Sequence, residues 1–289
     1  RSKTDEVKAV FPDGNTVVIK PDQDPRMVFA DWLVTKENPW FTKCIVNRVW
    51  AWLIGYGIIH EPDDIRDNNP PSNPELLAYL EKELIEHDYD LRHLYRLILN
   101  SRTYQQSSIA QSRHEDAERL FACYPVRRMD AEVIIDALCW ISGIREKYQS
   151  AIPEPFTFIP EENRSIELAD GSITSQFLEM YGRPSRDTGL MSERDNKTTD
   201  SQRMHMLNST QVQDKITKSW RLNALLKRTR GKTRAMINNV YLMVLSRYPT
   251  PYELQAVEGY YNANGKNVRN TAHDLTWALI NTKEFLYLH

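Results

Sequence analysis

Residues 38–54 read NPWFTKCIVNRVWAWLI, and this stretch decides the fold class. Asn38-Pro39 pairs a capping side chain with a proline at the first helical position, where its missing N–H would have no partner in any case. Trp40, Phe41, Ile45, Val46, Val49, Trp50, Trp52, Leu53 and Ile54 then leave only a narrow polar strip, and Gly55 is a suitable stop. A helix this apolar is expected to be central, with other elements on most of its sides.

The same start recurs on both flanks. Asp24-Pro25 and Asn73-Pro74 predict helices over 25–36 and 74–87, beside the central one over 39–54. The third is amphipathic, with Leu76, Leu77, Leu80 and Leu84 on one side and Glu75, Glu81, Lys82 and Glu86 on the other. Asp90 caps a helix running to about Tyr104. Helices follow over 114–121, 130–142, 173–181, 200–208, 210–217, 219–228, 233–246 and 268–285. Thr250-Pro251-Tyr252-Glu253 forms a capping box that opens one more. Residues 144–175 carry Pro153, Pro155 and Pro160 and read as irregular, with one short strand at Thr157–Ile159. Residues 182–203 read as polar loop, and Thr16–Ile19 as a short strand.

The expectation is an all-α, irregular multi-helix domain of about ten to twelve helices, with a short N-terminal strand and a long proline-bearing middle loop. Residues 1–23 are the tail of an upstream domain or a linker. Residues 24–289 form the helical domain, with possible lobes 24–143 and 173–289 joined by the loop 144–172. The chain begins at Arg1 and reads as a trimmed fragment, so a missing signal peptide says nothing about compartment.

Composition narrows the function classes. Thirty-seven basic against 39 acidic residues leave a net charge of −2, which excludes a globally basic nucleic-acid binder. Hydrophobic residues at 41% exclude a disordered chain. No apolar run approaches the ~18 residues of a membrane span. Ten glycines are about half the usual ~7%, which favours helices over turn-rich β folds. Cys44, Cys123 and Cys139 have neither zinc spacing nor a disulfide framework and read as small buried apolar residues. No cofactor fingerprint, P-loop, nucleophile elbow or haem motif occurs, so no cofactor and no metal are expected. His60-Glu61-Pro62-Asp63-Asp64 groups hard-metal ligands but lacks the alternation and glycine of a calcium loop. Glu83 and His87 are an i, i+4 pair on an exposed helix and read as a surface contact rather than half a zinc site.

Charge is unevenly placed. Residues 61–90 hold ten acids against two bases. Residues 215–252 hold nine bases (Lys215, Lys218, Arg221, Lys227, Arg228, Arg230, Lys232, Arg234 and Arg247) and no acid. The basic run is either a face for a polyanion such as a sulfated glycan, or a segment that is solvated or faces the acidic one.

The informative residues are polar ones on apolar faces. Asn47 and Arg48 lie within the apolar helix, and Arg102 falls on an inward stripe four residues after Ile98. Glu132 and Asp136 share one face of their helix, just after Arg127 and Arg128. A charge in a core must be paired or its desolvation goes uncompensated. Arg48, Arg102 and Arg128 are therefore expected to meet carboxylates drawn from Asp63, Asp64, Glu132 and Asp136, with the guanidinium fork fixing how helices cross. The alternative is a cleft in which these four carboxylates do acid/base work on a polysaccharide, as a hydrolase or lyase, with the arginines clamping an anion.

In order, the ungapped motifs NPWFTKCIVNRVWAWLIGYGIIHEPDDIRDNNPPSNPELLAYLEKELIEHDYDLRHLYRLILNSRTYQQSS (38–108), YPVRRMDAEVIIDAL (124–138), FLEMYGRPSRDT (177–188), MHMLNSTQVQDKI (204–216), VYLMVLSRYPTPYEL (240–254) and WALINTKEF (277–285) carry a resemblance. The chain resembles the domain-of-unknown-function 1553 family, from about Pro25 onward. The resemblance implies the C-terminal module of an exported bacterial protein, periplasmic or at the cell surface. Such proteins also carry domain of unknown function 1549 and sometimes a cytochrome-c-like domain, so the other domains of the full-length protein are implied partners. Neighbouring sulfatase and polysaccharide-utilisation genes imply an anionic glycan as a further partner. No reaction is implied. The family motif maps onto Asn47, Arg48, Trp50, Asp63, Asp64, Arg102, Tyr104, Arg127, Arg128, Glu132, Asp136, Arg183, Arg186, Glu193, Arg194 and Asn208. Many members carry Cys-x-Cys-Glu-Arg after the Gly-Arg-Pro segment. Here Thr188-Gly189-Leu190-Met191-Ser192-Glu193-Arg194 keeps the Glu-Arg and lacks both thiols, which puts any role of those cysteines in doubt.

Overall fold

Each Asp/Asn-Pro start opens a helix in the computed structural model, which describes residues 6–110, 114–117, 119–150, 159–160, 162–168, 173–184 and 193–288. Asp24 accepts the Arg26 N–H and opens α1 (Pro25–Leu33). The Asn38 side chain accepts from the Trp40 and Phe41 N–H groups at 3.0 and 2.9 Å, so α2 (Phe41–Ile54) begins two residues later than expected. Asn73 accepts from Leu76 N–H and opens α3 (Pro74–Glu86). Asp90 caps α4 (Leu91–Leu99). That helix stops short of Tyr104, with Asn100 at its C-terminal cap and both its N–H and its Nδ2 on the Arg96 carbonyl.

The chain divides into two compact units, Arg1–Pro125 and Val126–His289. The first opens with an antiparallel hairpin, β1 (Val7–Val10) and β2 (Thr16–Ile19), where a lone strand was expected. Its helical core is α2 against α3 and α4, centred on Val46, Trp50, Ile54, Leu77, Leu80, Leu84, Leu94 and Ile98. The enclosure of α2 is one-sided, since Trp52 on its far face is 46% exposed. Where a helix was expected over 114–121, the described residues 115–117 and 119–121 form turns, and the φ of +55° at Phe121 cannot continue a helix.

The second unit takes in β3 (Arg127–Arg128) and α5 (Ala131–Ser142), and α5 packs on α6, α8 and α9. The division therefore falls before α5, not in the loop 144–172. Beyond α5 come β4 (Gln149–Ser150), a 3-10 turn (Ser165–Glu167), β5 (Ile173–Thr174) and α6 (Gln176–Met180). The helices α7 (Asp200–Asn208), α8 (Thr210–Thr217), α9 (Trp220–Thr229), α10 (Thr233–Leu245), α11 (Pro251–Ala263) and α12 (Val268–Ile280) follow. Thr282 caps a separate last turn, α13 (Lys283–Leu286), so the helix expected over 268–285 is broken at Asn281. β6 (Tyr287–Leu288) returns to pair antiparallel with β3, and β4 pairs with β5. The core gathers Ile134, Ile135, Phe177, Leu178, Met236, Ile237, Val240, Leu275 and Ile280. α10 and α12 pack closely at its middle, while α11 buries no residue completely.

The fold is thus mostly helical and irregular, as expected, with a few two-residue strand pairs added. The short strand expected at Thr157–Ile159 falls largely outside the described residues. Among the described residues no helix is long and apolar enough to cross a membrane.

Candidate functional site

The polar residues singled out in the sequence fall into two groups, one in each unit. In the first unit Asn47, fully buried on α2, holds the loop after it. Its Nδ2 donates to the Ile59 and Pro62 carbonyls, both at 2.8 Å, and its Oδ1 accepts from the Ile59 N–H at 2.9 Å. The loop so held presents Asp63 to Arg48 in an ion pair, and Asp64 pairs instead with Arg66. Trp50 is buried edge-on against Phe121, with ring centroids 5.1 Å apart. Its Nε1 is buried with no hydrogen-bond partner among the described residues, and it lines a cleft of about 520 Å³ together with Tyr79, His93 and Arg96. Tyr104 is half-buried, edge-on to Tyr124. Arg102 is exposed and pairs with no acid among the described residues. The α4 stripe that predicted its burial ends at Leu99, so position 102 no longer follows helical spacing.

In the second unit Glu132 is buried on α5 and is gripped by two arginines. Arg194 donates to both its oxygens, at 2.9 and 2.8 Å, and Arg183 Nε lies 3.3 Å from Oε1. Burial is the largest single influence and would raise the Glu132 carboxyl, but the Arg194 hydrogen bonds, a backbone hydrogen bond and the charges of Arg194 and Arg183 together hold the group below the ordinary value. Gly182 makes this arrangement possible. Its φ is +88°, and a Cβ there would run into the backbone of Asp195, whose N–H donates to the Gly182 carbonyl at 3.1 Å. That close approach places Arg194 over Glu132.

Asp136, one turn further along α5, turns to a different task. Its carboxylate accepts the Ser165 and Ile166 N–H groups at 2.8 and 3.2 Å. The two acids of α5 therefore share a face without forming an acid/base pair.

Arg128 meets carbonyls where a carboxylate was expected. Its Nη2 donates to the Tyr181 carbonyl at 2.6 Å and lies 3.3 Å from the Asp195 carbonyl, and its guanidinium sits over the Tyr181 ring at 5.5 Å. Nε and Nη1 are buried with no hydrogen-bond partner among the described residues. Burial pulls this guanidinium below its ordinary value, against the opposing influence of Tyr181, Asp130, Tyr287 and Asp195. Arg128 lines a cavity of about 310 Å³ with Tyr181, Gln202, Arg203, Lys283 and Tyr287 among its walls, and among the described residues no acid lines it. The Thr198 and Tyr287 hydroxyls, also in its wall, are hydrogen-bonded at 2.8 Å. Such a cavity presents positive charge and hydroxyls, the complement of a sulfate or carboxylate.

The remaining candidates sit apart. Arg127 is half-buried in β3 opposite Leu288, Glu193 is exposed, and Asn208 is exposed at the end of α7. Arg186 lies outside the described residues, as do the positions where the family's cysteine pair would fall. The basic run 215–252 is partly internal. Lys215 is buried, 3.2 Å from Glu146, and Arg247 pairs with both Glu253 and Glu284. Lys227, Arg228, Arg230, Lys232 and Arg234 remain exposed around the turn between α9 and α10.

A family model described as "Protein of unknown function (DUF1553)" matches residues 25–261. The chain belongs to this family. The match takes in both polar groups and stops before Lys283 and Tyr287, so part of the cavity wall lies beyond the matched region of this DUF1553 chain. No curated protein and no solved structure matches it. Residue-by-residue reading missed Arg203, Lys283 and Tyr287, because they gather from α7, α13 and β6. The one signal available was that Lys283 lies inside the WALINTKEF motif.

Proposed function

We propose that this DUF1553 chain is a non-catalytic helical scaffold or binding module of an exported multidomain protein, linked to the use of sulfated polysaccharide. Its second unit holds an anionic group of the saccharide in the cavity at Arg128. The observation that carries this reading is a buried guanidinium with two N–H-bearing nitrogens that find no partner among the described residues, in a cavity that Arg203 and Lys283 also line and in whose wall no described residue is an acid. A buried polar group without a partner requires an explanation, and a bound anion supplies one. An anion there would lie against Arg128 and gain from Lys283, while Arg203, already paired with Asp200 at 3.2 Å, would add less.

The hydrolase or lyase alternative finds less support. Glu132 is taken by two arginines, Asp136 by two backbone N–H groups, and Asp63 and Asp64 by Arg48 and Arg66. The exported setting and the companion domains rest on the resemblance set out above. Fractionation of source cells that puts the full-length protein in the cytoplasm would remove that part of the reading.

Titration with a sulfated oligosaccharide and its desulfated counterpart tests the rest. The sulfated form is expected to bind, with an affinity that falls as salt rises. Lys283→Gln and Arg203→Gln, both at exposed positions, should each weaken it several-fold. Equal affinity in both variants, or equal binding of the desulfated form, would refute the assignment of this cavity.

A further inference from the structure

The hairpin of α3 and α4 brings together three side chains of which the sequence showed two. Glu83 lies on the last turn of α3, His87 is the residue that ends it, and His93 lies on the first turn of α4. The link between the helices is tight, with Asp88 and Tyr89 both at positive φ. His93 Nε2 is 2.9 Å from Glu83 Oε2. His87 Nδ1 is 2.9 Å from the Glu83 carbonyl and 3.7 Å from Oε2. The two imidazoles lie nearly parallel, with centroids 3.5 Å apart. One ligand atom from each residue falls within 4.8 Å of the others.

We propose that Glu83, His87 and His93 form a binding site for a divalent transition-metal ion of the zinc type, completed by water. Two imidazoles and one carboxylate are the donor set that suits zinc, nickel and copper, whereas magnesium and calcium take oxygen ligands. Zinc–nitrogen bonds of about 2.0–2.1 Å put two ligands of one ion no more than about 4 Å apart, so the cluster needs to close by up to about 1 Å. The side chains have the freedom to do so, since Glu83, His93 and His87 are 20, 27 and 45% exposed. An imidazole lone pair lies in the ring plane, so binding turns the stacked rings edge-on to the ion. A glutamate carboxylate is ionised and an imidazole largely neutral at pH above about 7, the states in which both act as metal ligands.

This site is separate from the anion cavity, lying in the other unit, and neither proposal depends on the other. Its effect would be to tie α3 to α4 across their connecting turn. A ligand that binds only the folded state raises its stability.

Calorimetric titration of the metal-stripped chain with zinc chloride, with Tm measured alongside, tests the site. One equivalent should bind and Tm should rise. His87→Ala and His93→Ala should each weaken binding about tenfold or more and abolish the Tm rise. His114→Ala, elsewhere in the same unit, should leave both unchanged, and excess magnesium should not compete. If His93→Ala fails to fold, His87→Ala carries the test, because His87 is nearly half exposed at a helix end. A Kd weaker than about 1 mM for the wild type would overturn the proposal. So would undiminished zinc binding in a folded His87→Ala variant, or displacement of zinc by magnesium.

Discussion

Glu132 shows how a single acid can organise a neighbourhood. It sits on a helix whose other buried residues are apolar but for Ser142, and its carboxylate bridges arginines from two segments far along the chain. Removing one member of a buried pair leaves the rest charged and unsatisfied. Glu132→Ala should therefore lower unfolding free energy by about 3–5 kcal/mol, read from urea denaturation. Glu132→Gln keeps the shape without the charge and should fall between that variant and wild type. The sequence exposed this residue, because a carboxylate within AEVIIDALCW has no apolar reason to be there. It did not expose the partners. Of the arginines expected to take the acids, Arg48 does pair with Asp63, but Arg183 and Arg194 hold Glu132, Arg102 meets no acid among the described residues and Arg128 donates to carbonyls. Spacing reports which residues share a face, and it does not report which distant loop returns to meet them.

At the level of elements, caps and stops were the most legible part of the sequence. The capping box at Thr250–Glu253 forms as read, with Glu253 returning to the Thr250 N–H at 2.7 Å. Because α11 buries no residue fully, its local cap is a large share of what holds it. Thr250→Ala should cost about 1 kcal/mol, and amide exchange should accelerate first in that helix. Gly143 ends α5 at φ +74°, and a Cβ there would run into the Trp220 indole, whose Nε1 donates to the Gly143 carbonyl at 2.8 Å. Gly143→Ala should destabilise by more than about 1 kcal/mol, the cost of the backbone conformation alone, as read from a lowered Tm. The errors were of one kind. Short pieces such as 114–121 and the tail of α4 looked periodic but are turns, since a few apolar residues at helical spacing cannot outweigh Asn, Ser and a positive φ. The two-residue strand pairs are too short to leave a pattern.

The whole molecule should lose stability toward acid in two stages. Burial holds His205 and His273 below their ordinary 6.5, so the folded state binds fewer protons there than the unfolded chain. Their contribution is complete above about pH 6.5 and declines as pH falls through the lowered folded values. Glu132 and Glu253 act next. Both are held below the ordinary 4.5, Glu253 to about 2, so their contribution is complete above 4.5 and is lost as pH falls through the lowered folded values. Unfolding free energy followed from pH 8 to 3 should show a shallow decline and then a steeper one. A flat profile between pH 7 and 5.5 would contradict the histidine stage.

The pairing of β6 with β3 has a consequence for how the second unit can be cut and rejoined. Residues 127–128 and 287–288 are hydrogen-bonded neighbours, so the beginning and end of this unit lie side by side. A short linker could fuse them, and the opening could move to the exposed Asn264–Lys266 turn. A circular permutant of that design would keep every helix of the unit whole, with the Arg128 strand now in mid-chain.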